Sequence, residues 1–282
     1  MHLLYPALNM FVNKSSFVKR SFKCVISNIT RYASSAGIDT ANEDFVKESN
    51  KLLYEGHIPT TVLQKVLLTV GSSVASITDP YRHDMVAVLS ETTGCFAAKK
   101  IREKMLKDPE GSQILIEKPR ISSSTLDFPL LQTLPEGTLG HAYLCFLKDN
   151  NVTPDSRRPV QFIDDAELAY VIQRYREVHD LQHTLLGMPT NMLGEVAVKW
   201  VEAIQTGIPM CTAAAIFGPL RFKTLQRQKY LKSYLPWAID CGFRAKFLMN
   251  VYFEKRWEQN IKDIREELNI PPFTVFFSTY PS

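Results

Sequence analysis

The chain has few cysteines, and none lies near another in sequence: Cys24, Cys95, Cys145, Cys211 and Cys241 are scattered through 282 residues with no CxxC pair. That spacing argues against both a zinc finger and a disulfide framework, and leaves reduced thiols packed mostly in the interior. No apolar run is long enough to cross a bilayer. The best candidate, IPMCTAAAIF at 208–217, is short and is broken by Gly218-Pro219. Alternating strand patterns of useful length are missing, as is any internal repeat. Acidic residues are missing from residues 1–38, where Lys14, Lys19, Arg20, Lys23 and Arg31 stand alone. These five belong to 33 bases in all, so residues 39–282 hold 28 bases against all 29 acids. The net charge of +4 therefore resides in the leader, and a near-neutral body gives no electrostatic reason to expect nucleic acid.

The leader is also rich in serine (Ser15, Ser16, Ser21, Ser27, Ser34, Ser35), interleaved with Phe11, Phe17, Phe22, Val25 and Ile26. Basic, serine-rich and free of acid, it has the composition of a mitochondrial transit peptide ending near residue 32. A secretory signal would need a longer apolar core and would lead to an oxidising compartment, which the cysteine pattern does not support.

After the leader the chain reads as helix after helix, and at 45% apolar and 22% charged residues it is ordinary for a globular protein. Leu63, Val66, Leu67, Val70, Val74 and Ile77 repeat at helical spacing between a Thr60-Thr61 start and an Asp79-Pro80 stop. A second helix is expected over about 92–107, closed by Asp108-Pro109-Glu110-Gly111, with shorter pieces at 112–117 and 138–148 and a loop at 150–159. Residues 243–268 mix Phe247, Leu248, Val251, Tyr252 and Trp257 with Arg244, Lys246, Lys255, Arg256 and Lys262, the pattern of a basic amphipathic helix at a membrane interface or on an ordinary surface. The expected fold class is all-α: a single helical domain over about 45–270, followed by a short tail at 271–282.

The most informative stretch is 177–195, EVHDLQHTLLGMPTNMLGE. Residues four apart on a helix share a face, so His179 and His183 can aim both imidazoles at one point. Gly187 suits a helix C-terminus, and Met188-Pro189-Thr190 turns the chain into a second apolar-periodic helix. Glu195 can then complete a metal site between two consecutive helices. Core histidines satisfied by ordinary hydrogen bonds would show the same spacing, and Glu195 with Lys199 would make a plain surface pair. Leu168, Ile172, Tyr175, His179 and Leu186 fall on one stripe, however, so His179 points inward, where an imidazole needs a partner. Two imidazoles and up to two carboxylates without a thiolate suit zinc or an open-site ion such as ferrous iron, manganese or cobalt.

The run DDAELAYVIQRYREVHDLQHTLLGMPTNMLGEVAVKWVEAIQTGIPM resembles the mitochondrial ubiquinone biosynthesis protein 4 family, the coenzyme Q proteins with an HDxxHx11E motif. The likeness extends to HIPTTVLQKVLLTVGSSVASITDPYRHDMVAVLSETTG, to MLKDPEGSQILIEKPRISSSTLDFPLLQTLPEGTLG and to FEKRWEQNIKDIREELNI, nearly the whole chain after the leader. The resemblance implies His179, Asp180, His183 and Glu195 as ligands of a zinc ion. It implies C1 decarboxylation of a 4-hydroxy-3-methoxy-5-polyprenylbenzoate, on the matrix face of the inner mitochondrial membrane, as a peripheral protein within a multi-subunit assembly of coenzyme Q biosynthetic enzymes. A homo-oligomer is compatible with it. An alternative within the same family is a non-catalytic, lipid-binding scaffold that organises the assembly. The residues name no unique proton donor: Asp180, Glu195, His83 and Asp84 are candidates, and His83-Asp84 reads more simply as a helix start. The 208–217 segment is the candidate wall of a channel for the prenyl tail, although its alanines also suit a buried helix.

Overall fold

The computed structural model describes residues 52–78, 82–156 and 159–273. The leader at 1–32 with Cys24, the expected domain start at 45, and all but the first three residues of the 271–282 tail lie outside the described residues. The described part is helical: α1 (Val62–Thr78), α2 (His83–Leu106), α3 (Pro109–Glu117), α4 (Phe128–Thr133), α5 (Leu139–Asn150), α6 (Ala166–Leu186), α7 (Met192–Thr206), α8 (Pro209–Phe217), α9 (Thr224–Lys229), α10 (Leu235–Arg244) and α11 (Ile261–Glu267). Among the described residues the β-type pairing is a single isolated bridge, Thr138 with Asn260.

The architecture is organised around α6. Asp165 caps its start by accepting from the Glu167 and Leu168 N–H groups, and Gly187 closes its end in the left-handed region at φ 67°. Every residue from Leu168 to Leu186 is buried, because α2, α5, α7 and α11 all pack against this helix. The helix is nevertheless rich in charge, so each buried polar group requires a partner. Fully buried Arg174 pairs with Glu254 and reaches Glu254 Oε2 at 2.9 Å, Arg176 meets Glu91 at 2.7 Å, and Glu177 accepts from Arg120 at 2.7 Å and from the Ile121 N–H at 3.0 Å. Losing one partner of such a buried pair costs about 3–5 kcal/mol, so these contacts lock the helix in one register.

Several boundaries differ from expectation. Helix α2 begins at His83, nine residues before the expected 92. Thr92 and Thr93 lie inside this helix, their hydroxyls donating back to the Val88 and Leu89 carbonyls at 3.0 and 2.6 Å. Asp108-Pro109 both ends α2 and starts α3: Asp108 accepts from the Gly111 N–H at 2.9 Å, and Pro109 occupies the first turn, where a missing donor has no cost. The loop at 150–159 contains a short 3-10 turn, Pro154–Ser156.

The basic amphipathic helix expected over 243–268 does not form. Helix α10 ends at Arg244, two 3-10 turns follow at Leu248–Asn250 and Phe253–Lys255, and α11 covers only Ile261–Glu267. The cause is pairing within the protein. Arg256 joins Glu110 at 2.7 Å to Glu267 at 2.9 Å, Lys255 meets Glu117 at 3.1 Å, and Leu248, Val251, Tyr252 and Phe253 are buried. Basic and apolar residues that read as two faces of one helix instead tie an irregular segment onto α3 and α6.

Candidate metal centre

The site forms where α6 hands over to α7. His179 and His183 lie one turn apart on α6, their rings edge to face with centroids 4.8 Å apart. Both are buried, at 2% and 1% exposure. After Gly187 the chain turns through Pro189, and Asn191 caps α7 by accepting from the Leu193 and Gly194 N–H groups at 3.1 Å each. That cap sets Glu195 in the first turn of α7, facing the two rings. Its Oε1 is 3.4 Å from His183 Nε2 and its Oε2 is 3.7 Å from His179 Nε2. One donor atom from each of the three residues lies within 4.8 Å of the other two.

The hydrogen bonds on the far side of each ring define what the near side can do. His183 Nδ1 is 3.1 Å from the Met188 carbonyl oxygen, and His179 Nδ1 is 2.6 Å from Glu202 Oε1. Both partners are pure acceptors, so each Nδ1 carries a proton, and each ring turns its Nε2 toward Glu195. His183 Nε2 is buried with no hydrogen-bond partner. Two imidazole nitrogens and a carboxylate converging on one point suit a cation. Ligands on a tetrahedral zinc stand roughly 3.3–3.5 Å apart for bonds of about 2.0–2.1 Å, close to the Glu195–His183 spacing. The donor set therefore fits a divalent ion, with the one-third exposed Glu195 side chain marking the open side.

Of the four residues expected as ligands, the structure brings together His179, His183 and Glu195. Asp180 is buried on α6 beside them but is not one of the three whose donor atoms converge. The alternative Glu195–Lys199 surface pair is not made. Lys199 turns instead to Glu202, at 2.7 Å.

Glu202 is the residue that sequence reading missed. Its side chain is fully buried, with Oε1 on His179 and Oε2 accepting from Tyr175 Oη at 2.8 Å and from Lys199 Nζ at 2.7 Å. Cys211 Sγ lies 3.0 Å from the same tyrosine oxygen. Burial alone would raise the Glu202 carboxyl, but Lys199 and His179 outweigh it and hold the group far below the usual carboxylate range. Burial pushes the Cys211 thiol well up, so it stays protonated. The Glu195 carboxyl is likewise held low, its partial burial outweighed by His179 and His183. A signal for Glu202 does exist in the sequence: it lies seven residues after Glu195, two turns along the same face of α7.

Helix α8 packs beside this site. Cys211 and Ala215 face inward, while Ile216 and Phe217 remain 51% and 59% exposed. Gly218, just past α8, is so close to Val196 that a Cβ there would stand 2.7 Å from its methyl group. The segment expected as an apolar wall is thus half core and half exposed apolar surface, next to the first turn of α7. His83 and Asp84 do start α2, where Asp84 bonds Arg82 at 2.8 Å in the first turn; the His83 side chain lies outside the described residues.

Fold and site together define an all-α protein with a buried pair of helical histidines facing a carboxylate on the next helix. Residues 54–274 match the family model for the coenzyme Q (ubiquinone) biosynthesis protein Coq4, and the chain belongs to that family. It is 61% identical over 222 residues to the mouse mitochondrial ubiquinone biosynthesis protein COQ4 homolog, covering 79% of this chain and 84% of that one. It is 58% identical over 225 residues to the human protein of the same name, covering 79% and 85%. A crystal structure of a Nostoc punctiforme protein, assigned provisionally to ubiquinone biosynthesis, superimposes with a TM-score of 0.59 at 21% identity, over 74% of this chain and 97% of that one. At that identity the likeness supports the all-α fold. No helix among the described residues is long and apolar enough to cross a membrane.

Proposed function

We propose that this protein is a metal-dependent decarboxylase of ubiquinone biosynthesis, removing the C1 carboxyl group of a 4-hydroxy-3-methoxy-5-polyprenylbenzoate. The observation that carries this reading is the convergence of His179 Nε2, His183 Nε2 and the Glu195 carboxylate, with His183 Nε2 buried and making no hydrogen bond. His179, His183 and Glu195 would hold the ion, with zinc the first choice and Asp180 the adjacent carboxylate. A bound divalent ion would supply Lewis acidity toward the substrate carboxylate and the charge to orient it.

The reaction asks little else of the protein. The 4-hydroxyl makes the ring electron-rich, so a proton can add at C1. The electron pair of the C1–carboxyl bond then returns to the ring, and CO2 leaves. A redox-active ion and oxygen would permit a hydroxylating variant of the same loss, whereas zinc would not take part in electron transfer. The surrounding groups serve water exclusion and orientation: the histidines are buried, and Glu195 is the ligand-side residue open to an incoming molecule.

A bilayer-dwelling prenyl substrate would enter from an interface. Ile216 and Phe217 at the end of α8 and Leu220 just beyond it are exposed apolar side chains that support contact with a membrane surface, which in this reading is the matrix face of the inner mitochondrial membrane. The same apolar surface favours the second reading, a lipid-binding scaffold that holds other coenzyme Q biosynthetic enzymes in one complex. The deciding experiment uses the purified protein with its metal quantified and a short-chain prenylated hydroxybenzoate, with CO2 and ring product measured under air and under nitrogen. Product formed in proportion to bound metal supports the decarboxylase. Metal without turnover under either gas would move the function to the scaffold.

A further inference from the structure

The buried cluster behind His179 has no part in the reading above, and it is built at some cost. A lysine, a glutamate, a tyrosine and a cysteine share one interior pocket between α6, α7 and α8, where burying two charges is expensive. Its geometry is directional. Glu202 uses Oε1 for His179 Nδ1 at 2.6 Å, while Tyr175 and Lys199 both occupy Oε2. Lys199 Nζ also stands 3.4 Å from His179 Nδ1. If that nitrogen were unprotonated, Lys199 would be its donor, and a bare lone pair would face the Glu202 oxygen at 2.6 Å. The shorter contact with an acceptor-only carboxylate therefore decides the tautomer.

We propose that Glu202 is the positioning residue of the metal centre, its Oε1 accepting from His179 Nδ1 so that the ring presents Nε2 to the ion, with Lys199 as the counter-charge beside the buried carboxylate. The inference rests on the His179–His183–Glu195 reading of the site. Carboxylates behind a ligating histidine raise its basicity and fix its ring, and losing one costs about 10–100-fold in metal affinity. His183 has a weaker arrangement, a neutral carbonyl at 3.1 Å, so the two imidazoles are unequal ligands.

The test measures zinc affinity by competition with a chromophoric chelator in the full chain, for wild type, Glu202→Gln and the double variant Glu202→Gln with Lys199→Met. The double variant removes both charges, so a failure to fold caused by an orphaned lysine is avoided. Alongside, imidazole 15N NMR of the metal-free wild type reads the His179 tautomer, with the signal identified by its absence in His179→Gln. The expected result is a single Nδ1–H tautomer in wild type and about a 10–100-fold loss of zinc affinity in both variants, with the double variant melting close to wild type. A purely structural role would shift melting and leave zinc affinity unchanged in whatever protein folds. Zinc held equally by wild type and the double variant, or an Nε2–H tautomer in wild type, would overturn this inference alone. No zinc held by wild type would overturn the site reading and this inference with it.

Discussion

Gly194 sits against Pro189 so closely that a Cβ at position 194 would stand 2.0 Å from the Pro189 carbonyl oxygen. The turn leaving α6 folds back onto the first turn of α7, and Glu195 is the next residue along. Gly194→Ala must therefore push the turn away, at about 1–3 kcal/mol or more for overpacking. We expect a lower melting temperature together with loss of bound metal, since the shift falls on the backbone that presents Glu195. Melting curves and metal content of the purified variant check it; a variant that keeps both would show that the turn is not what aims Glu195.

Removing a ligand should separate binding from folding. His183→Ala takes away one of the two converging imidazoles, so metal retention should vanish, whereas His179→Ala also removes the hydrogen bond to Oε1 of buried Glu202 and should destabilise the metal-free protein more. Glu195→Gln keeps size and one oxygen and should retain weakened metal with sharply reduced turnover. Metal analysis, melting temperature and turnover on the three variants form the test. Stoichiometric zinc in either alanine variant would remove that histidine from the site.

At the end of α8 the two exposed apolar side chains offer a test of membrane contact. Ile216→Asp with Phe217→Asp should leave melting nearly unchanged, because both side chains are more than half exposed. Partition onto inner-membrane-like vesicles should fall by roughly tenfold or more, since each buried apolar side chain contributes about 1.5–3 kcal/mol. Vesicle flotation measures it, and unchanged partition would place the membrane face elsewhere.

Alkaline stability should report on the short N-terminal segment before α1. Tyr54 donates to the Ile163 carbonyl at 2.9 Å, and burial, partly offset by that bond, pushes its phenol up to about 12. An unfolded tyrosine ionises near about 10. Between these values the unfolded chain has lost a proton that the folded chain keeps, so the contribution of Tyr54 is fully present below pH about 10 and is lost as pH rises toward 12. Urea midpoints measured across that range should fall less steeply for Tyr54→Phe, by about one proton. Identical slopes would mean that the phenol is not protected.

How far the sequence reached can be judged residue by residue. The apolar periodicity of α1, the Gly187 and Gly207 helix ends and the absence of alternating patterns are local properties, and the all-α class follows from them. The i,i+4 spacing of His179 and His183 is local too, and the turn at Met188-Pro189-Thr190 followed by a second helix was enough to bring Glu195 within reach. Pairings between distant segments were not legible. Arg256 chooses Glu110, 146 residues away, and that choice dissolves a helix that its own neighbours would have supported. The all-round burial of α6 depends on partners as distant as Glu91 and Glu254, so one apolar stripe in sequence became a helix enclosed on every face. Lys199 offered two plausible acids on its own helix. Only the packing of Tyr175, His179 and Cys211 around Glu202 decided between them, because in a buried pocket the cost of an unpaired charge outweighs the small preference of a surface pair.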